Sequence, residues 1–160
     1  MKALLHRRPS PARWLFAIVL LAVATASVAA PPPALPALNI AIEDTSVSGI
    51  SSGGFMSVQM QVAHASIIRG AGIVAGGPYY CAQDSVLTAT TECSCTGEPS
   101  LACKVDEDST AIPALVAATR SFHGEGRIDD PAHLARQRVV TVVGGKDPLV
   151  TAPVTRQLHG

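Results

Sequence analysis

Charge of either sign is scarce in this chain. Charged residues make up 15% of its 160, and twelve Lys and Arg balance twelve Asp and Glu. A nucleic-acid footprint or a polybasic membrane patch needs cationic residues in excess, so the composition excludes both kinds of partner. Long apolar runs are lacking too. The longest, which contains Trp14 to Val23, is shorter than the ~20 residues a bilayer span requires, which excludes a stable membrane span. No internal repeat is present, which removes the repeat architectures.

What the N-terminus does carry is an export pattern. Lys2, Arg7, Arg8 and Arg13 supply positive charge, the apolar run follows, and Ala26, Ser27, Ala29 and Ala30 offer small residues for cleavage. Cutting after Ala29 keeps proline out of the first mature position. Arg7-Arg8 is followed by Pro9-Ser10-Pro11 and not by apolar residues, which sets aside a twin-arginine signal. Residues 1–29 are therefore expected to be a secretory signal peptide. Residues 30–38, with Pro31-Pro32-Pro33-Ala34-Leu35-Pro36, read as an extended leader. The expected location is secreted, either extracellular or periplasmic.

Four cysteines, Cys81, Cys93, Cys95 and Cys103, cluster in one stretch. Their spacing matches none of the usual zinc patterns. In an oxidising compartment an even, clustered set reads as disulfides, so no metal is expected. Cys93 and Cys95 are too close to pair comfortably. The expected bridges join one of them to Cys81 and the other to Cys103, with the choice left open.

Chemistry is most visible at Gly49-Ile50-Ser51-Ser52-Gly53, which carries the Gly-x-Ser-x-Gly pattern of a nucleophile elbow. There a strand turns sharply into a helix and exposes a serine hydroxyl. Neighbouring backbone comes too close for a β-carbon, and Gly49 and Gly53 are expected to leave that room. A glycine-rich loop containing serine is the plain alternative. Leu38–Ser48 is a plausible strand into the elbow. In the next segment Met56, Val58, Met60 and Val62 alternate like a strand, yet Phe55, Gln59 and Val62 keep helical spacing. The glycines at both ends favour helix. Ala71–Gly77 reads as a short buried strand and Tyr79–Lys104 as a cysteine-clipped loop. Ile112–Thr119 reads as a helix fragment, Arg138–Val143 as a strand, and Val150–Leu158 as a helix starting at or after Pro153. Strands alternating with helices predict a parallel α/β sheet.

An acyl-transfer serine needs a base and an acid to orient that base, in the order serine, acid, histidine. Asp147, in Gly144-Gly145-Lys146-Asp147-Pro148 after the Val139–Val143 run, is the best acid. The carboxyl ends of parallel strands share one edge, so Asp147 and Ser51 are expected to emerge together. Asp-Pro after two glycines is also an ordinary turn. Asp129 and Asp130 look like a solvated turn or cap. His64 sits on the helix leaving the elbow, His123 and His133 precede the acid, and His159 falls on the next helix. None is a convincing base. The backbone N–H of Ser52, at a helix N-terminus, is the expected oxyanion donor. This chemistry calls for no cofactor.

Val47-Ser48-Gly49-Ile50-Ser51-Ser52-Gly53-Gly54-Phe55-Met56 resembles the serine box of extracellular poly(3-hydroxybutyrate) depolymerases. Gly72-Ile73-Val74-Ala75-Gly76-Gly77-Pro78-Tyr79-Tyr80-Cys81-Ala82-Gln83 is similar to the segment that follows the box in that family. Arg127-Ile128-Asp129-Asp130-Pro131 and Val143-Gly144-Gly145-Lys146-Asp147 resemble its later acid-bearing segment. The resemblance runs from about Ala41 to Leu158. It implies a circularly permuted α/β-hydrolase-like fold, a partial catalytic domain over 39–160, and a serine esterase cleaving a polyhydroxyalkanoate. An esterase of the same fold on small or plant-wall esters and a non-catalytic truncated product or binding module are the alternatives. By the resemblance Ser51 matches the nucleophile and Asp147 the acid. The histidine is expected beyond Gly160, since the family carries it further downstream. No separate polymer-binding module is seen.

Overall fold

The structure is a computed structural model that describes residues 32–97, 103 and 105–159. The expected signal peptide and the first part of the leader lie outside the described residues. Residues 32–41 carry no regular secondary structure, and the compact unit runs from Ile40 onward.

The strand expected over Leu38–Ser48 starts later, because a 3-10 turn at Ile42–Asp44 interrupts it; strand β1 is Thr45–Ile50. Helix α1, Ser52–Ala63, follows directly. Its buried residues, Gly54, Ser57, Val58, Gln61 and Val62, fall at helical spacing, while Met56 and Met60 turn outward. The alternating pattern is thus split between core and surface, and the helical reading prevails. Strand β2 is Ile68–Val74, three residues earlier than expected. It ends where Ala75 turns to φ 51°, a left-handed conformation that no strand continues through.

The cysteine-clipped segment is more than loop. It holds helix α2, Val86–Thr91, whose first turn is capped by the Ser85 hydroxyl accepting from the Thr88 N–H. Helix α3, Ile112–Gly124, extends past Thr119, with Pro113 in its first turn, where a missing N–H costs nothing. After a 3-10 turn at Pro131–Arg136 come strand β3, Arg138–Val142, and helix α4, Ala152–Arg156, which runs into a 3-10 turn at Gln157–His159.

The three strands form one parallel sheet in the order β1-β2-β3. Ile50, Val74 and Val142 stand in register across it, so all three strands finish on the same edge. One face is covered by α1, where Val58 and Val62 pack on Ala71 and Ile73. Ala75, Val150 and Val154 form a second cluster beside Phe55. On the other face Ile50, Val140 and Val142 are exposed among the described residues. The fold is the parallel α/β arrangement that the alternation of elements predicts.

Candidate active site

Ser51 occupies the hinge between β1 and α1 with φ 56° and ψ −122°. That region is strained for a residue with a β-carbon, and it persists only where the surroundings over-determine it. Here they do. The Ser51 N–H donates to the Val74 carbonyl at 2.9 Å, and its own carbonyl accepts from Phe55 N–H at 3.0 Å. The hydroxyl makes no capping bond to the helix, so it is not consumed by the turn, and the residue is exposed. A serine that closed a simple glycine loop would need none of this.

The glycines divide in a way that differs from expectation. A β-carbon on Gly49 would stand 2.2 Å from the Gly53 carbonyl oxygen, so that position has no alternative. At Gly53 a β-carbon would meet nothing within 4 Å; the second close approach belongs instead to Gly54, 2.7 Å from the Val74 carbonyl oxygen. The role expected of Gly53 falls to its neighbour, because α1 rests its first turn on the end of β2. Ser52 opens α1, where the first N–H groups lack intrahelical acceptors.

Asp147 follows β3 on the same edge of the sheet as Ser51. Its Oδ1 accepts from the N–H groups of Leu149 and Val150 at 2.9 and 3.0 Å. The turn and the candidate acid are therefore one feature: one oxygen shapes the loop and Oδ2 has no such bond to it. The loop is also tied to the disulfide region, since Cys95 N–H donates to the Leu149 carbonyl at 2.7 Å. The bridges are Cys81–Cys93 and Cys95–Cys103, and no cysteine is free.

No histidine among the described residues is hydrogen-bonded to Ser51 or Asp147. His64 caps the far end of α1, about 18 Å of helix from Ser51. His123 and His133 sit near the end of α3 and in the Pro131–Arg136 turn. His159 Nε2 meets the Thr141 hydroxyl at 2.6 Å, folded back on β3. Asp129, read from sequence as a turn or cap, instead reaches across the fold: its Oδ2 accepts from the Ser66 N–H at 2.9 Å and hydroxyl at 2.5 Å. Asp130 caps the Pro131–Arg136 turn through the Ala132 N–H.

Beside Ser51 opens a cleft of about 570 Å³, walled by Phe55, Met56, Tyr80, Val86 and the Cys81–Cys93 bridge. Sequence reasoning did not find this wall, because it is assembled from α1 and the cysteine-clipped segment together. An exposed hydroxyl at a strained elbow, next to an apolar cleft, suits attack on a neutral carbonyl.

No protein-family profile matches the chain. It is 42% identical over 128 residues to the poly(3-hydroxybutyrate) depolymerase of Delftia acidovorans, covering 78% of this chain and 24% of that protein. It is 36% identical over 140 residues to the polyhydroxybutyrate depolymerase of Talaromyces funiculosus, covering 87% and 36% respectively. This chain is a partial-length relative of the poly(3-hydroxybutyrate) depolymerases. Solved depolymerase structures agree. A serine-to-alanine variant complexed with an R3HB trimer superposes with a TM-score of 0.63 at 32% identity, over 79% of this chain and 36% of that one. The depolymerase of Penicillium funiculosum gives 0.62 at 33% identity with the same coverage. The chain thus spans about a quarter to a third of the depolymerases it matches.

Proposed function

We propose that this chain carries the nucleophile-bearing part of a secreted serine esterase that hydrolyses poly(3-hydroxybutyrate) or a related polyhydroxyalkanoate. The observation that carries the reading is the strained elbow at Ser51, with φ 56° and ψ −122°, in a relative of depolymerases. Ser51 attacks the ester carbonyl to form an acyl-enzyme and release the alcohol. The Ser52 N–H, at the start of α1, stabilises the oxyanion of the tetrahedral intermediate. Asp147 orients a histidine that takes the serine proton; that histidine is proposed to lie beyond Gly160, as in the resembled family. Residues 1–29 direct export and are removed, and the proline-rich leader precedes the partial catalytic domain.

The test uses protein expressed from its complete coding frame. Ser51→Ala should abolish clearing of a polyhydroxybutyrate suspension and labelling by a fluorophosphonate. Ser52→Ala should cost far less, since alanine keeps the backbone N–H. Asp147→Asn should lower kcat by about 10⁴, because the amide holds the histidine in the wrong tautomer. Equal clearing by Ser51→Ala and the parent would overturn the assignment and leave a binding module as the reading. Undiminished activity in Asp147→Asn would retain Ser51 and move the acid elsewhere.

A further inference from the structure

The cleft beside Ser51 is apolar along much of its wall, yet one carboxylate lies on it. Asp84 is the single acidic side chain among the described lining residues, and no Lys, Arg or His accompanies it there. It is held in place. The Tyr80 O–H donates to Asp84 Oδ2 at 2.9 Å, and this hydrogen bond, helped by burial and by the carboxylate charge, raises the phenol above its ordinary 10.0. Tyr80 N–H donates to Gln59 Oε1 at 3.3 Å, and Gln59 Nε2 to the Phe55 carbonyl at 3.4 Å. The carboxylate is thereby tied back to α1, the helix that presents Ser51.

The backbone supports the same view. Tyr80, Gln83 and Asp84 take φ values of 58°, 48° and 60°. Left-handed conformations are uncommon for residues with β-carbons, and they concentrate where a site needs them. Arg127 lies at 4.0 Å over the Phe122 ring that packs edge-on against Tyr80, and it pairs with Glu125 at 3.4 Å; its charge offsets part of the rise of the Tyr80 phenol, but it does not line the cleft. Asp84 thus meets the cleft without a cationic partner on its wall.

We propose that Asp84 determines which end of an ester chain the cleft accepts. It repels a segment ending in a free carboxylate and admits neutral ester stretches or a hydroxyl terminus, whose O–H can donate to a carboxylate oxygen. The inference rests on the esterase reading above and narrows its substrate class to chains presented without their acid end. Asp84 is exposed to solvent, so two like charges several ångströms apart there discriminate by about tenfold in affinity at most, at low salt, and added salt weakens the effect.

Binding, not turnover, tests this. In the Ser51→Ala background, calorimetry compares the methyl ester of a 3-hydroxybutyrate trimer whose terminal hydroxyl is acetylated with the free acid of the same acetylated trimer, so that only the acid end differs and no hydroxyl terminus can donate to Asp84. The ester should bind up to about tenfold more tightly at low salt, and the gap should narrow in 0.5 M NaCl, roughly beyond the range of screened charges. Asp84→Asn should close the gap by improving the acid while leaving the ester unchanged; asparagine tolerates the left-handed backbone and still accepts from Tyr80. The salt series needs no change at Asp84, so it stands if that variant folds poorly. Equal affinities in the Ser51→Ala protein, or a gap that survives both salt and Asp84→Asn, would overturn the role of Asp84 while leaving the esterase reading intact. Failure of both trimers to bind would overturn the cleft as a polyester site and this proposal with it.

Discussion

Ser51 and the glycines around it bear the tightest constraint in the molecule. Gly49 faces a carbonyl oxygen at 2.2 Å from where a β-carbon would stand, whereas Gly53 faces open space. Two substitutions that look alike in sequence should therefore part company. Gly49→Ala must push apart β1 and the first turn of α1, and we expect a loss of about 2–4 kcal/mol, within the range of severe backbone clashes. Gly53→Ala replaces glycine inside a helix without obstruction and should hold or raise Tm, since alanine is favoured there by up to about 1 kcal/mol. Thermal unfolding of the two variants checks this. Similar losses in both would show that the elbow is not built as described.

The connection from α1 to β2 shows how elements are fastened at the end of the sheet opposite Ser51. Asp129 N–H donates to the Ala63 carbonyl at 3.1 Å, and the carboxylate receives both the N–H and the hydroxyl of Ser66. The Ser66 hydroxyl first, then its N–H, hold the Asp129 carboxyl below its ordinary 3.8, and His64 and His133 add to this. A carboxyl whose value is depressed by folding contributes stability above the unfolded value and loses it as pH falls through the folded one. Asp129→Ala should accordingly lower Tm at pH 7, and the gap to the parent should shrink steadily below about pH 3.8. Tm measured from pH 7 down to pH 2.5 reads this directly; a gap that stays constant with pH would assign the loss to packing alone. The group is largely solvated, so salt should also reduce the difference.

At the scale of the whole molecule, three aligned strand ends gather the hydroxyl of Ser51, the Asp147 loop and the disulfide-bound wall on one side. Both disulfides belong to this side, and they suit the export that residues 1–29 encode in the proposed reading. Protein recovered outside the cytoplasm should begin at Ala30, and its mass should match two closed bridges, which intact-mass spectrometry measures. A retained Met1, or four thiols titrating under denaturing, non-reducing conditions, would contradict processing or pairing respectively.

Much of this was legible in the chain alone, for identifiable reasons. The elbow could be read because its requirement is local: a few residues of backbone exclude β-carbons and expose one hydroxyl. The parallel sheet followed from alternation, and spacing spoke against a Cys93–Cys95 bridge, while only the fold decided that Cys93 joins Cys81 and Cys95 joins Cys103. Whatever depended on distant partners was decided only by tertiary structure. Gly53 and Gly54 are indistinguishable until α1 is laid against the end of β2. Asp129 resembled a solvated turn until Ser66, far away in sequence, came to meet it. Asp84 carried no signal at all, because its place beside the serine, as the single acidic side chain among the described lining residues of the cleft, exists only once folding lays the cysteine-clipped segment against α1.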